Sequence, residues 1–315
     1  MPSVRDCITK YDWENLITVA FVLIDDAFRT LLREARPARH RGPEPAFSDS
    51  EVITVAFLCE YLFGGNEKMT LIFLNNYHRD LFPKLLDRTR FNRRRRALRD
   101  TIEVLRQAFT NLQLVACDPH RVVDSFPITQ CGWRRRHRCA LFRGRLWQGY
   151  VAAKKQHFFG LRLHVTTTVQ GLVDRWLLAP ASIDERIVMP YLVTDDAPRL
   201  FLADSGYVSE DLERRISIDC GHRLLALRRR NQRVQWPDHL RRIVKHLRHW
   251  IETTGSVLDA VFHIEYPNAK SASGLLARVG TKLFAYNFAF ILAAVLAFTL
   301  TPSISAAEET LIHNI

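Results

Sequence analysis

The sequence lacks several patterns that would assign it directly to a well-defined class of protein. Its six cysteines form no C-x-x-C pair, which argues against zinc-ribbon and thioredoxin-like proteins. The first residues contain no positively charged region followed by an apolar run, so we expect no signal peptide. Internal repeats and low-complexity tracts are also absent, which excludes a solenoid. Because the six cysteines form no C-x-x-C pair, we expect them to be free thiols in a reducing cytoplasm.

Long apolar runs are nearly absent, and the one exception is at residues 283–300. This run reaches only the lower edge of the roughly 17–25 residues that cross a bilayer. It contains Tyr286 and Asn287, and no second run of this kind accompanies it. We therefore predict that the region 271–315 forms an apolar helix that packs on the core. A membrane anchor is the alternative interpretation.

Acidic residues are outnumbered, with 33 Asp and Glu against 45 Lys and Arg, which gives a formal net charge of +12. An excess of this size predicts a polyanionic partner, most often nucleic acid. Residues 131–155 contain eight of the cations, no acid, and interleaved Trp, Phe and Tyr. Cations can neutralise phosphates while aromatic rings stack on bases, so we expect this segment to contact DNA rather than form a solvated loop. The cations are Arg134, Arg135, Arg136, Arg138, Arg143, Arg145, Lys154 and Lys155.

Helical periodicity dominates residues 1–115. Ser48 and Glu51 form a capping-box pattern at the start of one predicted helix, and Gly64 and Gly65 end it. A further helix is predicted to begin with four adjacent cations. Short helices with a basic final member are typical of a helix-turn-helix-like DNA-binding domain, although a helical cap on the main domain fits equally well. The four cations are Arg93, Arg94, Arg95 and Arg96.

The pattern changes from about residue 119, where β-branched and aromatic residues predict strands. Helical segments separate the later strands, and a long helix is predicted at 238–264. We therefore predict a mixed α/β domain over 116–270. The predicted strands cover 121–128, 157–169, 173–180, 199–207 and 222–230, and a helix is expected at 182–195.

Two predicted strands each lead from apolar residues into an aspartate. Val122 and Val123 precede Asp124, and the apolar run 200–202 precedes Asp204 by one residue. A buried, unpaired carboxylate is costly, so each aspartate either caps a turn or meets a cation. Because sites collect at the carboxyl edge of an open α/β sheet, two matched aspartates favour a functional site.

A third carboxylate, Glu252, lies on the polar face of the predicted helix 238–264. On the same face are the cations Arg241, Lys245 and Arg248, which we predict to bind DNA. The alternative is a simple Arg248–Glu252 ion pair that contributes ~0.3–0.5 kcal/mol. Two aspartates and a glutamate brought together would form a hard-oxygen site for Mg²⁺ or Mn²⁺. Two such ions could activate the attacking oxygen and stabilise the leaving oxygen in phosphoryl transfer.

Several longer stretches match the motifs of one known family, in the same order. On these stretches, which span residues 45–300, the sequence resembles the DDE transposases of bacterial insertion sequences, in particular the nine-eight-two insertion-sequence family. The stretches are FSDSEVITVAFL, RFNRRRRALR, VVDSFPI, GYVAAKKQHFFGLRLH, LADSGY and RHWIETTGSVLDAVFHI.

The resemblance implies a ribonuclease H-like core with Asp124, Asp204 and Glu252 as catalytic residues that bind two Mg²⁺ or Mn²⁺ ions. It implies cleavage of double-stranded DNA at element ends, followed by attack of the 3′-hydroxyl on target DNA. It also implies at least a homodimer on DNA, a cytoplasmic, nucleoid-associated location, and no membrane or small-molecule cofactor. Related enzymes carry Tyr and Lys where this chain has Lys245 and Asp259. A catalytically silent DNA-binding regulator is the alternative.

Overall fold

Helices make up the N-terminal region of the described chain. The computed structural model describes residues 13–32, 45–112, 118–152, 154–193, 198–228 and 235–300, without the side chains of 112, 243, 246–250 and 297–300. Within these ranges, five helices precede the first strand. They are α1 (Trp13–Leu32), α2 (Asp49–Phe63), α3 (Glu67–Tyr77), α4 (Arg88–Ala97) and α5 (Arg99–Leu112).

Local capping explains where these helices begin and end. Ser48 accepts a hydrogen bond from the Glu51 amide while the Glu51 side chain accepts one from the Ser48 amide, so the predicted capping box is confirmed. Gly64 ends α2 with φ +57°, a left-handed conformation that favours glycine. Asp87 caps α4. The sequence predicted the basic run 93–96 at a helix start. The run instead lies in the second half of α4.

A six-stranded mixed sheet forms the second part of the described chain. Its strand order is β2-β3-β1-β5-β6, and β4 also pairs with β3. Strand β3 pairs antiparallel with β1, β2 and β4. Strand β5 pairs parallel with β1 and with β6. The strands are β1 (His120–Cys131), β2 (Gln148–Val151), β3 (Gln156–Thr167), β4 (Val173–Pro180), β5 (Leu200–Ala203) and β6 (Arg223–Ala226).

The remaining helices cover the two faces of the sheet. Those following β4 and β5 contribute to a buried cluster with Val123 and Phe201, on one face. The helix before the C-terminal one packs its buried apolar residues with Val122 and Leu202, on the other face. These helices are α6 (Glu185–Val188), α7 (Glu210–Cys220), α8 (Asp238–Ala260) and α9 (Ala272–Leu300), with 3₁₀ turns at Trp133–Arg138, Arg145–Trp147, Met189–Tyr191 and Ser205–Tyr207.

The C-terminal helix α9 is a core element. Over its most apolar window, within Ala272–Leu296, 72% of the residues are buried inside the protein. This is the one helix of the described residues long and apolar enough to span a membrane, and burial of this extent also fits the core helix predicted from the sequence. Its partners include Phe57 from α2 and Phe109 from α5, whose rings contact Phe288. The predicted N-terminal, central and C-terminal regions therefore share one apolar core.

Three sequence predictions differ from the observed elements. Strand β1 continues to Cys131, so Asp124 lies inside a strand rather than at its end. The predicted helix at 182–195 is reduced to the four residues of α6 and a 3₁₀ turn. The short strand β2 was not predicted, because it has only four residues and its Gly149 weakens the local strand signal.

Candidate active site

Asp124 lies in β1, and Asp204 directly follows β5, the parallel strand beside it. Strand β1 pairs with β5 in a register that joins Val122 to Leu202, two residues before each aspartate. Side chains two residues apart on a strand share a face of the sheet, so Asp124 lies on the face that carries Val122. Both aspartates therefore lie near the edge where β5 ends.

Backbone amides orient both aspartates locally. The amide of Ser125 donates a hydrogen bond to Oδ1 of Asp124 at 2.8 Å. The amide of Gly206 donates to Oδ1 of Asp204, also at 2.8 Å, and this contact begins the 3₁₀ turn after β5. Both carboxylates are partly exposed and can meet a ligand from solvent.

Glu252 lies on α8, which packs across the same face of the sheet. Gly255, one helical turn further along α8, approaches Phe126 so closely that a Cβ at this position would lie 2.3 Å from ring atom Cε1. Phe126 is two residues beyond Asp124 on the same face of β1. Glu252 itself is exposed, and among the residues that the structure describes no three His, Cys, Asp or Glu side chains are close enough to hold one ion.

A fourth carboxylate, Glu185 at the start of α6, lies beside the aspartates. Its Oε1 accepts a hydrogen bond from Oγ of Ser125 at 2.6 Å and is 3.5 Å from Nη1 of Arg162. Sequence reasoning missed this residue because its partners are 60 and 23 positions away, and nothing in its own neighbourhood distinguishes it from other glutamates. Its place on a segment predicted as helical, between two strands, was the only available signal.

The basic segment 131–155 exposes most of its cations. Five of its arginines are exposed, whereas Arg136 is half-buried over the ring of Trp133, at 4.4 Å from the ring centre. Lys155 is exposed, but Lys154 donates to both carboxylate oxygens of Glu265, which raises the pKa of the lysine. A cavity of about 460 Å³ opens between this segment and β1, and Arg135, Arg138 and Lys154 are among its lining residues.

The basic run on α4 does not form one exposed surface. Arg93 and Arg96 are exposed, but Arg94 binds Asp49 and the carbonyl of Phe47. Arg95 is fully buried and donates to Glu60 and Glu67. Arg95 therefore cannot contact DNA in this structure, which corrects the expectation that all four arginines bind it. Successive residues on a helix point about 100° apart, so a run of four must send one inward when one face is buried.

The helix α8 presents its predicted cations unevenly. Lys245 is exposed, and Arg241 is half-buried and 3.4 Å from Asp238. The side chain of Arg248 lies outside the described residues, so the alternative Arg248–Glu252 ion pair is not tested by the structure. Val244, Ile251 and Leu258 are buried against the sheet, as the apolar stripe predicted.

The comparison with known protein families gives an independent result. A family model for the transposase DDE domain matches residues 114–272, which is just over half of the chain. A search of curated proteins and a search of solved structures each found no match. The chain therefore belongs to the transposase DDE-domain family. This membership confirms the resemblance drawn from the sequence motifs and implies a metal-dependent enzyme that acts on DNA.

The donor chemistry of the site fits the divalent ion that the family implies. The carboxylates of Asp124 in β1 and Asp204 just after β5 provide hard oxygen donors, and Mg²⁺ is usually bound by one or two protein carboxylates together with water and phosphate. The hydroxyl of Tyr207 is buried beneath them and has no hydrogen-bond partner among the described residues. Burial and the negative charges of Glu185, Asp124 and Asp204 raise the pKa of this tyrosine, and so the phenol stays neutral there.

Proposed function

We propose that this protein is an active transposase that cuts DNA at the ends of its element and joins the freed 3′-hydroxyl to target DNA. The observation that carries the proposal is the register of β1 and β5, which pairs Val122 with Leu202, two residues before Asp124 and Asp204 respectively. Strand β1 at the centre of a mixed sheet, with helices on both faces, also fits a ribonuclease H-like core. The matching transposase DDE domain covers this whole region.

In this proposal Asp124, Asp204 and Glu252 hold two Mg²⁺ or Mn²⁺ ions. When bound, such ions polarise the phosphodiester and lower the pKa of an attacking water or hydroxyl. The close contact of Gly255 with Phe126 supports the third role, because it holds α8 against the strand of Asp124. The amides of Ser125 and Gly206 donate to one oxygen of each aspartate and so orient both carboxylates.

The DNA would lie across the exposed cations. Arg134, Arg135, Arg138, Arg143, Arg145 and Lys155 are exposed beside the sheet, and Lys245 is exposed on α8. Such contacts position the phosphate backbone and carry little sequence information. Two element ends must be held together for transfer, so we propose a homodimer on DNA, acting in the cytoplasm at the nucleoid.

The test is strand cleavage of a labelled fragment that carries the end of the parent element. We expect wild-type protein to nick this fragment with Mg²⁺ or Mn²⁺. The variants Asp124→Asn, Asp204→Asn and Glu252→Gln should each lose at least ~100-fold in rate and still bind the fragment, because removing an essential electrostatic group typically costs about that much. Asp211→Asn, which removes an acid of α7 whose side chain is 89% exposed and lies beside Arg214, is the control and should nick normally.

Two results would contradict the proposal. Normal nicking by Glu252→Gln would remove Glu252 from the catalytic set. Wild-type protein that shifts the fragment but never nicks it with either ion would instead favour the catalytically silent regulator.

A further inference from the structure

Glu185 reaches the edge that carries the two aspartates from the opposite face of the sheet. Its first oxygen, Oε1, accepts the hydroxyl of Ser125, the residue that follows Asp124 in β1. Ser125 also lies 3.2 Å from Nη1 of Arg162, whose Nη2 donates to the carbonyl of Tyr150. Oε1 is therefore engaged by Ser125 and Arg162, and this engagement fixes the orientation of the carboxylate.

The second oxygen of Glu185 faces Asp204 across Gly206. A Cβ at position 206 would lie 2.5 Å from Oε2 of Glu185 and 3.0 Å from Oδ1 of Asp204. Both oxygens thus border the same small space, which only a glycine at this position leaves open. An adjoining open cavity of about 630 Å³, lined by Arg162, Glu185 and Gly206 among others, gives this space access to solvent.

Tyr207 provides a second and independent observation. Its side chain is 1% exposed, and its hydroxyl has no hydrogen-bond partner among the described residues. The hydroxyl is close enough to Glu185, Asp124 and Asp204 for the charge of each to act on it. The charges of carboxylates from three separate elements, α6, β1 and the turn after β5, therefore act on one buried phenol.

A purely structural role explains Glu185 incompletely. As an ion-pair partner of Arg162 it makes a contact of only 3.5 Å, and both groups are more than a fifth exposed. A long, partly exposed ion pair of this kind contributes little to stability. The Glu185–Arg162 ion pair does not explain why Oε2 of Glu185 faces Asp204. It also does not explain why a glycine, Gly206, lies between Glu185 and Asp204.

We propose that Glu185 is a fourth carboxylate of the active site, whose Oε2 binds a divalent ion together with Asp204. This inference rests on the proposed transposase function. In it, Ser125 and Arg162 hold the carboxylate in place through Oε1. Gly206 keeps the path between Glu185 and Asp204 open for the ion.

The test measures Mn²⁺ binding to the full chain without DNA, by the electron paramagnetic resonance signal of free Mn²⁺. Glu185→Gln keeps an acceptor for Ser125 but removes the negative charge, so we expect the affinity for Mn²⁺ to fall about tenfold or more. Asp184→Asn is the matched control. Asp184 is the neighbouring acid, caps α6 and pairs with Arg186, and Asn also caps helices well, so its affinity should equal that of wild type.

A second variant tests the geometry while every charge stays in place. Gly206→Ala puts a methyl group between the two oxygens and should also weaken Mn²⁺ binding. This variant decides the question if Glu185→Gln does not fold.

Asp204→Asn separates this inference from the function on which it rests. If Asp204→Asn weakens Mn²⁺ binding but Glu185→Gln and Gly206→Ala bind like wild type, Glu185 is not a ligand and the proposed function stands. If wild-type protein itself binds no Mn²⁺ and nicks no DNA, both proposals fail.

Discussion

His164 is a buried histidine in the centre of β3, paired in register with Ser125. Its side chain is fully buried, and neither ring nitrogen has a hydrogen-bond partner among the described residues. Burial and the nearby charge of Arg162 lower its pKa from 6.5 to about 4. The ring is therefore neutral in the folded protein at pH 7, and it must remain neutral for the strand to stay buried.

This histidine makes the folded protein sensitive to acid. Because its pKa is lower in the folded state than in the unfolded state, its stabilising contribution is complete above pH 6.5 and is lost as the pH falls toward 4. The loss approaches about 3 kcal/mol in the free energy of unfolding. We predict that His164→Leu flattens the pH dependence in this interval. Urea unfolding at pH 7.5, 6.5, 5.5 and 4.5 checks this, and parallel curves for the two proteins would contradict it.

The residues of the site differ in how far the sequence could predict them. Asp124 and Asp204 could be singled out because each interrupts an apolar stretch, which is a local pattern. Glu185 could not be, because its role depends on contacts with Ser125, Arg162 and Gly206 that only the fold creates. Arg95 was wrongly predicted to bind DNA, because a run of cations suggests an exposed surface. Its buried partners, Glu60 and Glu67, become evident only in the fold.

At the scale of elements, the position of helix α8 depends on one close contact. Gly255 packs against the ring of Phe126, and a methyl group there would lie 2.3 Å from Cε1 and 2.9 Å from Cζ. Glycine in a helix costs about 1 kcal/mol relative to alanine. The glycine permits the close approach of α8, which carries Glu252, to β1, which carries Asp124.

We predict that Gly255→Ala moves α8 away from β1 and lowers DNA nicking at least ~10-fold, because a shift of about 1 Å in a catalytic group can cost 100-fold. Overpacking should also lower the free energy of unfolding by about 1–2 kcal/mol, after the gain in helix propensity. Gly280→Ala in α9 is the matched control. A Cβ there would lie 3.5 Å from Trp176, an ordinary contact, so this variant should keep its activity and gain stability.

A compensating change tests whether the contact itself is responsible. Phe126→Leu makes room for the added methyl group, so the double variant Phe126→Leu/Gly255→Ala should nick faster than Gly255→Ala alone. A double variant as slow as the single one would show that Gly255 acts in another way.

The elements that the sequence predicted well are those with strong local signals. The helices α2 and α3 have side-chain caps, and the long strand β3 is rich in β-branched and aromatic residues. The elements that were wrong or missed, α6 and β2, are four residues long each. Such short elements are stabilised by the tertiary contacts around them, and a window of sequence carries little of that information.

At the scale of the whole molecule, a buried ionic network ties the N-terminal helices to the C-terminal helix. Glu60 of α2 accepts hydrogen bonds from Lys282 of α9 at 2.6 Å and from Arg95 of α4 at 3.3 Å. Glu67 of α3 accepts from Arg95 and from Arg278 of α9. Glu60 and Arg95 are fully buried, and Lys282 is 1% exposed. The opposite charges of the network balance one another in an interior from which water is excluded. The Lys282–Glu60 pair joins regions that are more than 200 residues apart in sequence.

We predict that Glu60→Gln destabilises the whole protein and not only its N-terminal region. The change keeps an acceptor beside the ammonium group of Lys282 but removes the buried negative charge that balances it, and breaking a buried ion pair costs about 3–5 kcal/mol. Asp238→Asn breaks the exposed Arg241–Asp238 pair and serves as the control, with little expected change. The network joins the N-terminal helices to α9, and the apolar core joins both to the sheet. Unfolding followed by helix and tryptophan signals should therefore show one coincident transition, shifted to lower urea in Glu60→Gln. Separate transitions, with only the helix signal shifted, would instead show that the N-terminal helices fold as an independent unit.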